Sequence, residues 1–114
     1  MDQLWQAHLQ GRPHARTRRN PPACPALDEL AERQSDINDW FTAYASSLAD
    51  TARDEMVELV YIRGGAGEMT REAILLHVVN HATYHRGHIA DMLYHCSVPP
   101  PTIDLPVFLR GGAD

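Results

Sequence analysis

Residues 71–96 read REAILLHVVNHATYHRGHIADMLYHC and form the longest stretch with a regular helical pattern. Its apolar side chains recur at spacings of three and four residues, which predicts one long helix with a broad inward face. Thr70 can cap the first turn, while Ser97 and the prolines at 99–101 end the helix. The predicted inward face consists of Ile74, Leu75, Val78, Ile89, Met92, Leu93 and Cys96.

Five of the seven histidines lie on this helix. A rotation of about 100° per residue places His81 and His85 within the inward face, and places His77, His88 and His95 at its rim. Two inward imidazoles at i and i+4 lie on adjacent turns and can bind one metal ion. The alternative is a pair of hydrogen-bonded core histidines, and the spacing by itself leaves both interpretations open. The stretch lacks the glutamate of HExxH, so a zinc-protease mechanism is not supported.

The rest of the chain predicts two further helices and a connecting loop. Residues 1–10 are helical, with Leu4, Trp5, His8 and Leu9 on one face. Residues 11–25 are rich in proline and arginine and read as a solvated loop. Residues 26–49 form a second helix, whose seam runs through Leu27, Leu30, Gln34, Ile37, Phe41, Tyr44 and Leu48. Residues 57–62 form a short extended segment, followed by a glycine-rich turn.

Composition excludes several classes of function. The chain has 114 residues, ten basic and fifteen acidic, and a formal charge of -5, which argues against a nucleic-acid partner. No apolar run is long enough to span a membrane, so no membrane partner is predicted. The two cysteines form no CxxC motif, and the start does not resemble a secretory leader. We therefore expect one cytoplasmic domain over residues 1–114, with Cys96 packed as a small apolar side chain.

Two segments near the carboxyl end resemble the DinB family. They are NHATYHRGHI and, after it, VPPPTIDLPVFLR. The family's last long helix carries a pattern like NHxxxHRGQ, followed by a proline-rich turn, an aspartate and a short tail with an aromatic residue. The matching positions are Asn80, His81, His85, Arg86, Gly87, Pro99 to Pro101, Asp104 and Phe108. His88 stands where the family often has glutamine, and the start DQLWQAHLQGRPH is similar to the end of the family's first-helix region.

This resemblance implies an all-α fold, a four-helix bundle of the up-down-down-up type, and often a dimer. It also implies a divalent transition metal (Zn, Ni or Fe) on three histidines, two of which carry over to His81 and His85. The family's third ligand lies a few residues before the stretch matching Asp2 to Trp5, so we expect this chain to lack that ligand and the first helix. His8, His77 or a second copy of the chain would then have to complete the site.

The resemblance supports two functions of different kinds. One is a metal-dependent enzyme, a transferase or isomerase that uses a low-molecular-weight thiol, with no catalytic residue yet assigned. The other is a non-catalytic helical module for dimerisation or interaction, with an incomplete metal site. A bundle that lacks one helix exposes apolar surface, so both functions come with an expected homodimer.

Overall fold

The computed structural model describes residues 1–20 and 23–111. In chain order the elements are α1 (Asp2–Leu9), α2 (Leu27–Ser47), a 3₁₀ turn (Asp50–Ala52), β1 (Met56–Val60), β2 (Ala66–Thr70), α3 (Arg71–His95) and α4 (Leu105–Leu109). The chain divides into two compact units, Met1–Val78 and Val79–Asp114, so that α3 contributes to both. No helix in the described ranges is long and apolar enough to cross a membrane.

A β-hairpin precedes α3. Strands β1 and β2 pair antiparallel, from Met56 opposite Thr70 to Val60 opposite Ala66. Side chains on β1 alternate between the core and solvent, with Val57 and Leu59 buried. The connecting turn contains Gly64 and Gly65 at φ 88° and 92°, in the left-handed region that residues with a β-carbon rarely adopt.

The hairpin corrects the predicted fold class, because the chain is mostly helical but not all-α. The predicted extended segment is β1, and its partner β2 was missed. The sequence of β2, AGEMT, lacks β-branched and aromatic residues apart from its final threonine, so only pairing with β1 makes it a strand. The four-helix bundle is wrong as well. In the first unit the short α1 packs on β1 and α2, rather than on a set of long parallel helices.

The core of the first unit gathers around α1. Its buried apolar members are Leu4, Trp5, Leu9, Val57, Leu59 and Ile74, and the partly buried Trp40, Phe41 and Tyr44 pack against them. The predicted face of α1 is confirmed, since Leu4, Trp5, His8 and Leu9 are all buried. On α2, Gln34 breaks the apolar seam because its amide donates a hydrogen bond to the Asp2 carboxylate on α1, at 3.1 Å.

Local signals set both ends of α3. The Thr70 hydroxyl accepts a hydrogen bond from the backbone N–H of Ala73 at 3.1 Å, as predicted for a capping residue. The helix ends at His95, and Ser97 follows with φ 59°. The predicted inward face, however, is buried only near the start. Ile74 is fully buried, whereas Ile89 and Met92 are 56% and 62% exposed.

The predicted burial of Cys96 is also wrong. Its thiol is free and exposed, as is that of Cys24. Cys96 lies in the second unit, where the described elements are the carboxyl-terminal part of α3 and the five-residue α4. The prediction of a single domain over the whole chain stays a prediction.

Candidate metal centre

The histidine pair lies on the part of α3 that belongs to the second unit. His81 Nε2 and His85 Nε2 are 3.0 Å apart. The two rings meet edge to face, with centroids 4.5 Å apart and an interplanar angle of 77°. His81 is half-buried, whereas His85 is exposed, so the prediction that both rings face the core is wrong. Their predicted proximity is confirmed, because it follows from the i, i+4 spacing within one helix.

Two more rings border the pair. The Tyr84 ring lies 5.4 Å from His85 and 4.3 Å from His88, between centroids. The His88 ring lies 6.4 Å from His85. Tyr84, His85 and His88 are all exposed. The pair is therefore open to solvent and to a small ligand, with aromatic surface on one side.

The geometry of the pair fits two ligands on one ion. Imidazole nitrogen binds zinc at about 2.0–2.1 Å, and nitrogens 3.0 Å apart can both lie at that distance from a common point. Without an ion, two neutral rings at 3.0 Å form a hydrogen bond in which one Nε2–H donates to the other Nε2. Binding a metal requires that both Nε2 atoms present a lone pair, and the hydrogen then resides on Nδ1.

The third ligand is not found where it was sought. In residues 1–20 and 23–111, no group of three or more His, Cys, Asp or Glu side chains could hold a metal ion. His8 and His77 belong to the first unit, where both rings pack near Trp5, at 5.8 Å and 4.6 Å between centroids. The structure thus supplies two candidate ligands, and the proposed roles of His8 and His77 as a third gain no support.

A separate imidazole cluster lies in the first unit. The His8 and His14 rings meet edge to face, 5.2 Å apart between centroids, and His8 is only 7% exposed. His14 Nε2 lies 2.9 Å from the backbone carbonyl of Val60. Because a carbonyl only accepts, this nitrogen must carry the hydrogen and donate it. The arrangement joins the loop after α1 to the end of β1.

Sequence reasoning missed His14, which it assigned to a solvated loop. The RPH segment has no periodic pattern of apolar residues. No local sequence signal indicates that its histidine contacts β1 and His8. Only His8 was noticed, from its place on the apolar face of α1. A contact between residues 14 and 60 depends on how the loop and hairpin pack, which a single sequence does not reveal.

Burial lowers the pKa of His8 below its ordinary 6.5. Desolvation is the largest cause, the nearby His14 lowers the pKa further, and a hydrogen bond with the Val60 backbone partly opposes both. As the pH falls, His8 is therefore protonated at a higher pH in the unfolded chain than in the folded chain. His8 stabilises the fold at pH above about 6.5, and that stabilisation is lost as the pH falls towards the lowered pKa.

We expect the midpoint of urea unfolding to be lower at pH 5 than at pH 7.5. His8→Leu should reduce this dependence, because the substituted side chain cannot be protonated. His95→Leu is the matched control, since the His95 side chain is 81% exposed beside Asp91. Equal pH dependence in His8→Leu and the unmodified chain would show that His8 does not cause it.

An open groove lies elsewhere in the second unit. It is lined by Val79, Thr83 and Arg86 of α3 and by residues 101–105, Val107 and Phe108. Arg86 donates a hydrogen bond to the Thr83 hydroxyl at 2.8 Å. At about 100° per residue, these α3 positions lie on the opposite side of the helix from His81 and His85. The groove is therefore not the ligand pocket of the histidine pair.

Comparison with known proteins identifies the family. The family model described as "DinB family" matches residues 2–112, which is nearly the whole chain. The chain belongs to the DinB family. No curated protein and no solved structure matched the chain.

Proposed function

We propose that this DinB-family chain is a metal-dependent enzyme, a transferase or isomerase that uses a low-molecular-weight thiol, and that His81 and His85 bind its divalent metal. The observation that carries the proposal is the 3.0 Å separation of the two Nε2 atoms. Helical spacing provides this geometry without help from any other element. The residue types are those that bind Zn, Ni or Fe, because neutral imidazole is a common ligand of all three.

The chain's own residues would hold and present the ion. His81 is half-buried, so its ring is partly fixed by packing, while the exposed His85 leaves one side of the site open to an incoming ligand. When bound, the ion would lower the pKa of a thiol and supply a nucleophile at neutral pH. Protonated imidazole has no lone pair at Nε2, so acid conditions would release the ion from both residues.

A metal titration of the untagged chain tests the proposal. We expect Zn²⁺ or Ni²⁺ to bind. His85→Ala should weaken the affinity for the ion by more than about 100-fold, because loss of a residue that only hydrogen-bonds to a metal ligand already weakens it by about 10–100-fold. His95→Ala is the matched control, because His95 is an exposed histidine on the same helix. A chain that binds no metal, or a His85→Ala variant that binds as well as the control, would contradict the proposal.

Thiol use needs its own measurement. With Co²⁺ in the site, addition of a small thiol such as cysteine should produce a sulfur-to-metal charge-transfer absorption. The band should be absent in His81→Ala. If the ion binds but no thiol does, the thiol-dependent reaction is wrong while the metal site stands.

A specific observation also favours the non-catalytic alternative. Large apolar side chains are exposed on three helices of the described chain, among them Leu27, Leu76, Val79, Tyr94, Leu105, Phe108 and Leu109. Of these, Leu105, Phe108 and Leu109 lie at i, i+3 and i+4 and so form one apolar face of α4, and contiguous exposed apolar surface is typical of interaction sites. A chain that binds no metal and is no less stable with His81 and His85 replaced would fit an interaction module instead of an enzyme.

A further inference from the structure

We propose that the outer edge of β1, the edge that faces away from β2, binds an extended acidic peptide segment of a partner protein. The segment would add to the hairpin as a third strand. The site lies in the first unit and is separate from the histidine pair, so it gives the chain a protein partner in addition to the proposed reaction.

The hydrogen bonds of the hairpin show which backbone groups point to this edge. At the two ends of the hairpin, the Tyr61 N–H donates to the Gly65 carbonyl and the Arg71 N–H donates to the Glu55 carbonyl, each at 3.1 Å. Such bonded pairs recur at every second residue of an antiparallel ladder, so they fall on the odd-numbered residues of β1. The even-numbered residues therefore direct their N–H and C=O groups away from β2. They are residues 56, 58 and 60.

One of these outward groups already has a partner. The Val60 carbonyl accepts a hydrogen bond from His14 Nε2 at 2.9 Å, which agrees with its outward direction. The outward groups of Met56 and Glu58 form no hydrogen bond with another segment in residues 1–20 and 23–111. Alternating donors and acceptors on a strand edge match the backbone of an extended peptide, and this pattern is how such peptides add to sheets.

Open space lies beside the edge. A cavity of about 480 Å³ borders four of the five residues of β1, together with His8, Leu9, residues 11–14 and Arg71. All of these residues belong to the first unit. Because a strand rises about 3.3 Å per residue, a segment of about five residues matches the length of β1. The edge is therefore accessible to a short extended chain.

The charges around the cavity favour acidic side chains on the peptide. Arg12 and Arg71 border it together with Glu58, so the permanent charges there sum to +1 in a chain whose formal charge is -5. Arg71 is already paired with the Glu55 carboxylate at 2.9 Å. Arg12 is exposed, and its Nε donates to the neutral amide of Gln10. The Arg12 guanidinium is thus the cation that can pair with a carboxylate of the partner.

The exposed side chains of β1 favour apolar residues at alternate positions of the peptide. Met56 and Val60 are 53% and 58% exposed and lie on the same face of the strand, since side chains two or four residues apart share a face. A peptide that alternates apolar and acidic residues can pack its apolar side chains on Met56 and Val60. Its acidic side chains then lie on the opposite face.

A synthetic peptide with this pattern tests the proposal. The probe is a fluorescently labelled, capped Val-Glu-Val-Glu-Val, and its binding to the whole chain is followed by fluorescence anisotropy. We expect saturable binding, with the matching Val-Lys-Val-Lys-Val peptide bound at least about 10-fold more weakly because its charges are unfavourable beside Arg12. Amide hydrogen exchange of the complex should slow at Met56 and Glu58 but not at Glu68, on the outer edge of β2.

A pair of proline variants identifies the edge. Glu58→Pro removes an outward N–H and leaves the bonds to β2 in place, because proline is tolerated on edge strands. It should weaken peptide binding by about 10-fold, through the lost hydrogen bond and the bulk of the ring. Glu68→Pro is the matched control, since Glu68 lies directly opposite Glu58 and its N–H points to the outer edge of β2. Glu58→Gln should bind at least as well as the unmodified chain, which separates the loss of the N–H from the loss of the charge.

Arg12→Gln tests the charge contact with a substitution that leaves the strand unchanged. We expect it to weaken binding of the acidic peptide by roughly 3–5-fold, the effect of losing one exposed ion pair. Arg18→Gln is the control, because Arg18 is an exposed arginine of the same loop that does not border the cavity.

Four results would overturn the proposal. They are no binding of the acidic peptide, equal affinity for the acidic and basic peptides, equal weakening by Glu58→Pro and Glu68→Pro, and binding of N-acetylglutamate as tight as that of the pentapeptide. The last would mean that the cavity takes a small carboxylate instead of a strand. All four are measured without a metal ion, so failure here is distinguishable from failure of the histidine site.

Discussion

Ile74→Ala is expected to lower the free energy of unfolding by about 2–5 kcal/mol, the usual cost of truncating a fully buried aliphatic side chain to alanine. Ile74 is 0% exposed and belongs to the same cluster as Trp5 and Leu59. The loss has two parts, the transfer free energy of the removed carbons and the cavity that the surrounding core cannot fill. Urea unfolding followed by circular dichroism measures it.

Leu76→Ala is the control for this prediction. Leu76 lies on the same helix, loses a similar aliphatic group and is 66% exposed, so the change in unfolding free energy should stay within about 0.5 kcal/mol. Ile74→Val should fall between the two, at about 0.5–1.5 kcal/mol. Equal effects of Ile74→Ala and Leu76→Ala would mean that the first turns of α3 do not pack into the core as described.

Arg71→Met is expected to lower the free energy of unfolding by about 2 kcal/mol, given that a hydrogen bond to a charged group contributes about 1.5–3 kcal/mol and that this side chain is partly exposed. The guanidinium donates to the Tyr44 hydroxyl at 2.6 Å, the Glu55 carboxylate at 2.9 Å and the Leu9 carbonyl at 3.3 Å. These bonds, led by the one to Tyr44, raise the pKa of Arg71. One side chain thus joins the start of α3 to α1, α2 and the segment before β1.

Arg53→Met provides the comparison. Arg53 forms an ion pair with Asp50 at 2.9 Å, but both side chains are largely exposed and only three residues apart. Exposed pairs of this kind contribute little, so the expected change is under about 1 kcal/mol. Equal losses of unfolding free energy in Arg71→Met and Arg53→Met would contradict the hydrogen-bond network of Arg71. So would a large loss in Arg71→Met together with no loss in Tyr44→Phe.

Features with a local cause were predictable from the sequence. The bounds of α3 follow from the Thr70 cap and from the stop after residue 95, both of which act within one turn. The proximity of His81 and His85 follows from i, i+4 geometry within one helix. The resemblance to the DinB family could also be recognised in the sequence, because contiguous residues form its motif.

Features that depend on packing were not predictable. An apolar face shows which side of a helix would be buried, but not whether another element lies against it. Ile74 is therefore buried while Ile89 and Met92, on the same face of α3, are exposed. Strand β2 likewise needed its partner, because its own residues have little preference for a strand.

The amino-acid sequence was sufficient to predict α1, α2, α3 and the proximity of the histidine pair, because hydrogen bonds and side-chain contacts three to four residues apart create them. It was also sufficient for the family, because the motif is contiguous, but it did not predict α4. Three features became visible only in the tertiary structure. The hairpin and α1 contribute most of the core, His14 contacts His8, and His85 is exposed to solvent. Burial and contacts between distant residues depend on which surfaces meet, and periodicity along one helix carries no information about its neighbours.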